Sequence, residues 1–306
     1  MFRLTLKQLA TVRAVAQAGT IVQAAEQLKV TPAALTSRIK LLEEDAGLLL
    51  FDRNGGRLRL TDAGEEVVQA AGRIDLVLGD LAMTLSAMRG QQAGRISVGV
   101  VSTAKYFAPR LIAAFAKQHP KIDVSLVLGN RAEMINHLRD YSVDMALMGR
   151  PPLDFPILSD AFGPHPQVVI AAPDHPLASR IGIDKTELTD ESFIAREEGS
   201  GTRTVFDYFF AGVMVRKPRV SIEIGSNETI KQAVMAGLGL ALISAHTIEA
   251  EVESGRLAIL DVKGLPIIRQ WFVVRRADRP LRPVGQAMWD FTLAEGPRLL
   301  PRTLKL

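Results

Sequence analysis

Apolar positions in the first fifty residues recur at helical spacing. Leu6, Leu9, Val12, Val15 and Ala16 line one face of a first helix, and Gly19 closes it as a glycine just past a helix end does. Thr20 is placed to cap a second helix to Leu28, with Ala24 and Ala25 as a close-packing face. Thr31 then caps a third helix, and Pro32 takes the first helical position, where its missing N–H costs nothing. Ala34, Leu35, Ile39, Leu41 and Leu42 carry the apolar face to about Asp45, before Gly47. The pattern then changes period. Leu50 and Phe51 read as core anchors, Asn54-Gly55-Gly56 as a hairpin turn, and Leu58 and Leu60 alternate with Arg57 and Arg59. Three helices and a two-stranded wing predict a winged helix-turn-helix.

Thr61-Asp62 can start a further helix, with Glu65 and Glu66 in its first turn, favourable to the helix dipole. Val67, Ala71, Ile74, Leu78, Leu81, Leu85 and Met88 form a heptad seam. A helix over 62–90 would be roughly 43 Å long. So narrow a seam needs a partner: a second copy of the chain, or the chain's own body. Gly90 to Gly94 reads as a hinge.

Beyond it, strands and helices alternate. Strands are expected at 96–101, 122–128, 143–148, 168–171, 193–196, 220–224, 238–243 and 271–274, with helices between them and a last helix over 284–293. Gly163-Pro164-His165-Pro166 marks a crossing, and the chain returns near Gly264-Leu265-Pro266. The fold class is α/β: the winged head, a linker helix and a two-lobed, periplasmic-binding-protein-like body. The expected divisions are 1–61, 62–93 and 94–306, with lobe I at about 94–163 and 267–306 and lobe II at about 164–266.

Charge adds to this picture. The chain has 306 residues and a formal charge of +4. Residues 1–60 carry +4, residues 61–90 carry −3 and the remainder +3. The positive density therefore lies on the head. Thr31, Pro32, Thr36, Ser37, Arg38 and Lys40 on the third helix, with Arg53, Asn54, Arg57 and Arg59 on the wing, are candidate DNA contacts. The other reading of this face is a solvated basic surface. No cysteine is present, which excludes disulfides, zinc fingers and thiol chemistry. The N-terminus lacks a signal-peptide pattern, and the longest uncharged apolar stretch, 233–248, is shorter than a membrane span. A soluble, cytoplasmic protein is expected.

In the body, the segment from Arg196 to Arg203 ends a strand, turns on glycines and opens a helix, an arrangement suited to an anion. A plain capped turn is the alternative. Ser102, Thr103, Lys105, Asn130, Arg150, Arg196, Ser200, Gly201, Thr202 and Arg203 lie at strand ends expected to converge, and they suit a phosphorylated or carboxylated metabolite. Arg203 could instead pair with Glu197 or Glu198. No P-loop, HExxH or G-x-S-x-G motif occurs. The five histidines show no metal-ligand spacing, and His165 and His175 read as surface residues. No enzyme activity, cofactor or metal is expected.

Residues 1–64 resemble the DNA-binding domain of LysR-type transcriptional regulators. The resemblance is carried by Ala24-Ala25, Leu28, Val30-Thr31, Ala34-Leu35, Ile39, Leu42-Glu43, Gly47, Leu50-Phe51, Arg53 and Leu60-Thr61-x-Ala63-Gly64. Pro32-Ala33 stands where that family usually has Gln-Pro, and Ser37 where it often has Arg. The resemblance implies an effector-binding body and a homodimer, or homotetramer, paired through the linker helix. It also implies promoter DNA, a small anionic effector and RNA polymerase as partners. Val101 to Pro109 and Arg196 to Arg203 further resemble the CbbR type, regulators of Calvin-cycle (CO2-fixation) operons that respond to ribulose bisphosphate, phosphoenolpyruvate or NADPH. Activation of CO2-fixation genes is the resulting expectation. Regulation of another metabolic operon, a ligand-independent architectural DNA-binding protein and a solute-binding or enzymatic α/β protein are the rivals.

Overall fold

The computed structural model describes residues 4–52, 58–88, 94–211 and 218–301. Packing divides the chain into two units, Met1–Gln91 with Arg139–Ser142, and Gln92–Leu138 with Val143–Leu306.

In the first unit, each helix begins on a threonine. The Thr5 hydroxyl accepts from Gln8 N, and Gln8 Oε1 accepts from Thr5 N, a reciprocal capping box that opens α1 (Leu6–Ala18). Thr20 caps α2 (Ile21–Gln27) and Thr31 caps α3 (Pro32–Ala46). Gly19 and Gly47 end α1 and α3 with φ of 71° and 67°, a region that favours glycine. Val12, Val15, Ala24, Leu35, Leu42, Leu50 and Phe51 bury together as the core. The Glu43 carboxylate accepts from Leu50 N and Phe51 N at 2.8 and 3.3 Å. It thereby seats β1 (Phe51–Asp52), which pairs antiparallel with β2 (Arg59–Leu60). The wing tip with Arg53, Asn54 and Arg57 lies outside the described residues.

Thr61 Oγ1 donates to Leu49 O at 2.7 Å and accepts from Gly64 N at 3.1 Å, where α4 (Asp62–Met88) begins. A Cβ at Gly64 would collide with the Leu50 carbonyl oxygen, so this close approach requires glycine. Along the seam Ala71 is buried, but Leu78, Leu81 and Leu85 are 40%, 54% and 49% exposed. The far half of the seam is therefore uncovered in a single chain.

The second unit opens with β3 (Gly94–Val101), α5 (Ala108–Gln118), β4 (Ile122–Gly129), α6 (Arg131–Arg139) and β5 (Met145–Met148). β3 lies between β4 and β5, parallel to both. The chain then enters β6 (Ile157–Ala171), a 15-residue strand. β7 (Ser192–Arg196), α7 (Gly201–Phe210), β8 (Arg219–Ile224), α8 (Asn227–Met235), β9 (Ala241–Ser244), α9 (Glu249–Glu253) and β10 (Ala258–Ile259) follow. β11 (Ile267–Arg276) returns, and α10 (Pro283–Leu299) packs on β6 and α5.

β6 and β11 run antiparallel from Ile157↔Arg276 to Gln167↔Ile267. At one end β11 pairs β5; at the other β6 pairs β9 and β10. This ladder carries the chain between one core around Phe107, Phe115 and Trp271 and two further clusters around Phe193 and Ile243. The expected crossing at Gly163 to Pro166 is therefore made by a strand. Pro164 and Pro166 pair only with β11, because β9 joins β6 from Gln167 onward. A strand with one neighbour there tolerates missing donors.

Candidate functional site

A cleft opens where the two parts of the body meet, with about 610 Å³ of space continuous with solvent. Its walls are the end of β3 (Val101, Ser102, Thr103), Arg131 at the start of α6, Gly149 and Arg150 after β5, and Arg196 at the end of β7. The first turn of α7 adds Ser200, Gly201 and Thr202, and the ladder adds His165, Gln167 and Arg269. The Ser200 side chain accepts from Thr202 N, so the residue that caps α7 also faces the cleft. The remaining N–H groups of that turn favour an anion.

Seven of the ten expected residues line the cleft: Ser102, Thr103, Arg150, Arg196, Ser200, Gly201 and Thr202. Lys105, Asn130 and Arg203 do not. Lys105 pairs with Glu228 at 3.8 Å, beside the Tyr106 hydroxyl that also donates to Glu228. The Asn130 side chain accepts from Glu133 N and caps α6. Arg203 turns to Glu223 at 2.8 Å, Asp207 at 3.2 Å and the Arg196 carbonyl. Local partners satisfy all three.

Arg196 reaches the cleft, but its charge is already matched. Its side chain is 1% exposed, and the guanidinium donates to both Glu197 carboxylate oxygens at 2.7 and 2.8 Å, to Asn227 Oδ1 and to Ser102 Oγ. It therefore works as a strut between β7 and the end of β3. The available positive charge is on Arg131, Arg150 and Arg269. Among the described residues, none of these has a carboxylate within ion-pair distance, and Arg131 donates only to the Arg150 and Pro151 carbonyls. Burial, then the Arg150 charge, holds both Arg131 and Arg269 below the usual guanidinium range; Asp154 offsets part of this at Arg131. Three like charges with no carboxylate in ion-pair range among the described residues make the potential of this wall positive, which suits an anion.

Arg131, His165, Gln167 and Arg269 were not among the expected residues. Arg131 directly follows Asn130, so the rule that favours strand ends could have found it. Arg269 lies mid-strand, and only the ladder register sets it opposite His165. His165, expected at the surface, is buried. It stacks on Trp271 with ring centroids 3.8 Å apart, and its Nε2 lies 3.0 Å from Ser244 Oγ. His175 is half-buried, 3.6 Å from Glu191.

Trp271 Nε1 donates to His246 Nδ1 at 3.0 Å. Burial pushes His246 down to about 4, and burial, His246 and Arg269 hold His165 well below its ordinary value. Both imidazoles are thus neutral in the folded body, whereas the unfolded chain takes up their protons near pH 6.5. Their contribution is intact above that pH and is lost as pH falls towards 4. The melting temperature should be flat from pH 8 to 7 and fall between 6.5 and 4, with a shallower fall in His246→Gln. A melt insensitive to pH through that window would contradict neutral imidazoles.

A winged helix-turn-helix joined to a two-lobed body with a receptor cleft defines a ligand-responsive DNA-binding regulator. Residues 6–65 match the bacterial regulatory helix-turn-helix protein, lysR family, and residues 89–297 match the LysR substrate binding domain. The chain belongs to the LysR family of transcriptional regulators and is a regulator, not an enzyme. It is 50% identical to the HTH-type transcriptional regulator CbbR of Rhizobium meliloti (strain 1021), over 98% of this chain and 96% of that one. It is 40% identical to the RuBisCO operon transcriptional regulator of Allochromatium vinosum, over 96% and 97%. The regulatory domain of CcmR from Synechocystis PCC6803, solved in complex with 2-PG, is 39% identical, with a TM-score of 0.63 over 66% of this chain and 96% of that one.

Proposed function

We propose that this chain controls a CO2-fixation operon, and that a small phosphorylated or carboxylated metabolite in the body cleft sets its action on the promoter. The observation that carries the effector class is the group of three arginines without carboxylate partners beside the α7 N-terminus. The near full-length likeness to a RuBisCO operon regulator supports the target, and the 2-PG bound to the CcmR domain supports the ligand chemistry. Ser102, Thr103, Arg131, Arg150, Ser200, Gly201, Thr202 and Arg269 hold the anion, with Arg196 as their strut. The head spans 1–61, the linker 62–93 and the effector body 94–306. The uncovered leucines of α4 support a homodimer through the linker helix, which can assemble further into a tetramer and meet RNA polymerase in the cytoplasm.

On DNA, α3 enters the major groove. Thr36 and Ser37 are exposed on it, and Arg38 and Ser37 make no side-chain hydrogen bond among the described residues. The Thr31 hydroxyl is spent on Ala34 N, so Thr31 and Pro32 position the helix start near the backbone, and Lys40 has only the exposed Glu44 at 3.7 Å. Arg53, Asn54 and Arg57 on the wing follow the adjacent groove.

Two measurements test the proposal. Calorimetry should detect 2-phosphoglycolate binding to the full chain, and a gel shift on a CO2-fixation operon promoter should respond to it. Arg38→Ala should weaken promoter binding and reduce the salt slope by about 1 if it contacts phosphate. Binding with no sequence preference would sink the regulator's promoter assignment.

A further inference from the structure

Beside its arginines the cleft also carries uncharged polar groups. Side chains alternate along β6, so His165 and Gln167 stand on one face of the ladder, and its register sets Arg269 opposite His165. Among the described residues, five buried side-chain nitrogen or oxygen atoms lack a hydrogen-bond partner. Three of the five are Nδ1 of His165 and both Oε1 and Nε2 of Gln167, and both residues line the cleft. Ser244 occupies the other ring nitrogen of His165. A Cβ at Gly149 would lie 2.8 Å from Nδ1, so the glycine leaves room beside it. Gln167 is 1% exposed. A buried amide that uses neither donor nor acceptor carries a desolvation cost that a leucine of similar size would not. Packing alone gives no reason for glutamine here.

We propose that His165 and Gln167 read a hydroxyl group on the effector, while Arg131, Arg150 and Arg269 hold its charged end. The inference rests on the anion-binding reading of the same cleft. A glutamine amide offers an acceptor and donors on adjacent atoms, and a hydroxyl both donates and accepts. A carboxylate or phosphate oxygen would satisfy Nε2 but set its lone pairs against Oε1. The His165 ring supplies a third polar atom, held by its stack on Trp271. The preferred ligand is therefore a carboxylate or phosphate ester that also carries a hydroxyl, held more tightly than an anion such as 2-phosphoglycolate whose polar groups are all charged.

The test compares 3-phosphoglycerate with 3-phosphooxypropanoate, which lacks only the hydroxyl, by calorimetry on the full chain and on Gln167→Leu. The native chain should favour the hydroxylated ligand by at least roughly tenfold, and Gln167→Leu should bring the two within about threefold. The variant's affinity for the deoxy ligand should stay within about threefold of native, with a melting temperature unchanged or raised. Gln167→Met gives the same comparison should leucine disturb the packing. Equal affinities in the native chain, or a preference that survives Gln167→Leu, would overturn the hydroxyl reading alone. Binding of 2-phosphoglycolate but of neither C3 ligand would likewise overturn the hydroxyl reading alone, and failure to bind any of the three at millimolar concentration would overturn the anion-binding reading and this inference with it.

Discussion

Methionine in place of Arg269 is expected to weaken effector binding while making the unliganded body more stable. Arg269 is partly buried beside the Arg150 charge, with no carboxylate in ion-pair range among the described residues. A cation in that position works against folding, and an apolar side chain of similar length removes the repulsion. Calorimetry should show a loss of roughly 30- to 150-fold in affinity for 2-phosphoglycolate, equivalent to about 2–3 kcal/mol for a charge-assisted contact. Thermal unfolding without ligand should shift upward by about a degree or two. Few substitutions combine these signs, because a residue that merely holds the fold loses stability and binding together. Unchanged affinity, or a lowered melting temperature, would remove Arg269 from the receptor.

Trp271→Ala is expected to cost the body about 3–5 kcal/mol in urea unfolding. The ring is fully buried on the ladder, edge-on to Phe107 at 4.9 Å and stacked on His165 at 3.8 Å. Its truncation leaves a cavity where the cleft floor meets the core, and strands His246 without its donor. Trp271→Phe keeps most of the packing and loses the N–H, so it should cost about 1–2 kcal/mol. The difference between the variants separates packing from the hydrogen bond. A cost below about 1 kcal/mol for alanine would show that the floor collapses freely around the gap.

The three helices of the head were legible almost residue by residue, because their boundaries are local chemistry. Thr20, Thr31, Gly19 and Gly47 act on backbone groups within four positions of themselves. The cleft was only partly legible. Glycines and hydroxyls at strand ends marked Ser102, Thr103, Gly149 and the α7 start, since an open α/β body presents those ends together. What sequence order hides is which charge is already matched. Arg196 and Arg203 look as available as Arg131 until Glu197, which follows Arg196, and Glu223, twenty residues beyond Arg203, are placed beside them. The β6–β11 ladder was hidden for another reason: Pro164 and Pro166 argue locally against strand, and only a missing neighbour on one side makes them acceptable.

That ladder also limits how the receptor can move. Two antiparallel strands paired over ten positions of β11, with one register shift between Trp271 and Phe272, resist sliding, since a shift of one residue would turn every side chain to the opposite face. They resist twist far less. The connection between the two parts of the body is therefore stiff in length and compliant in angle.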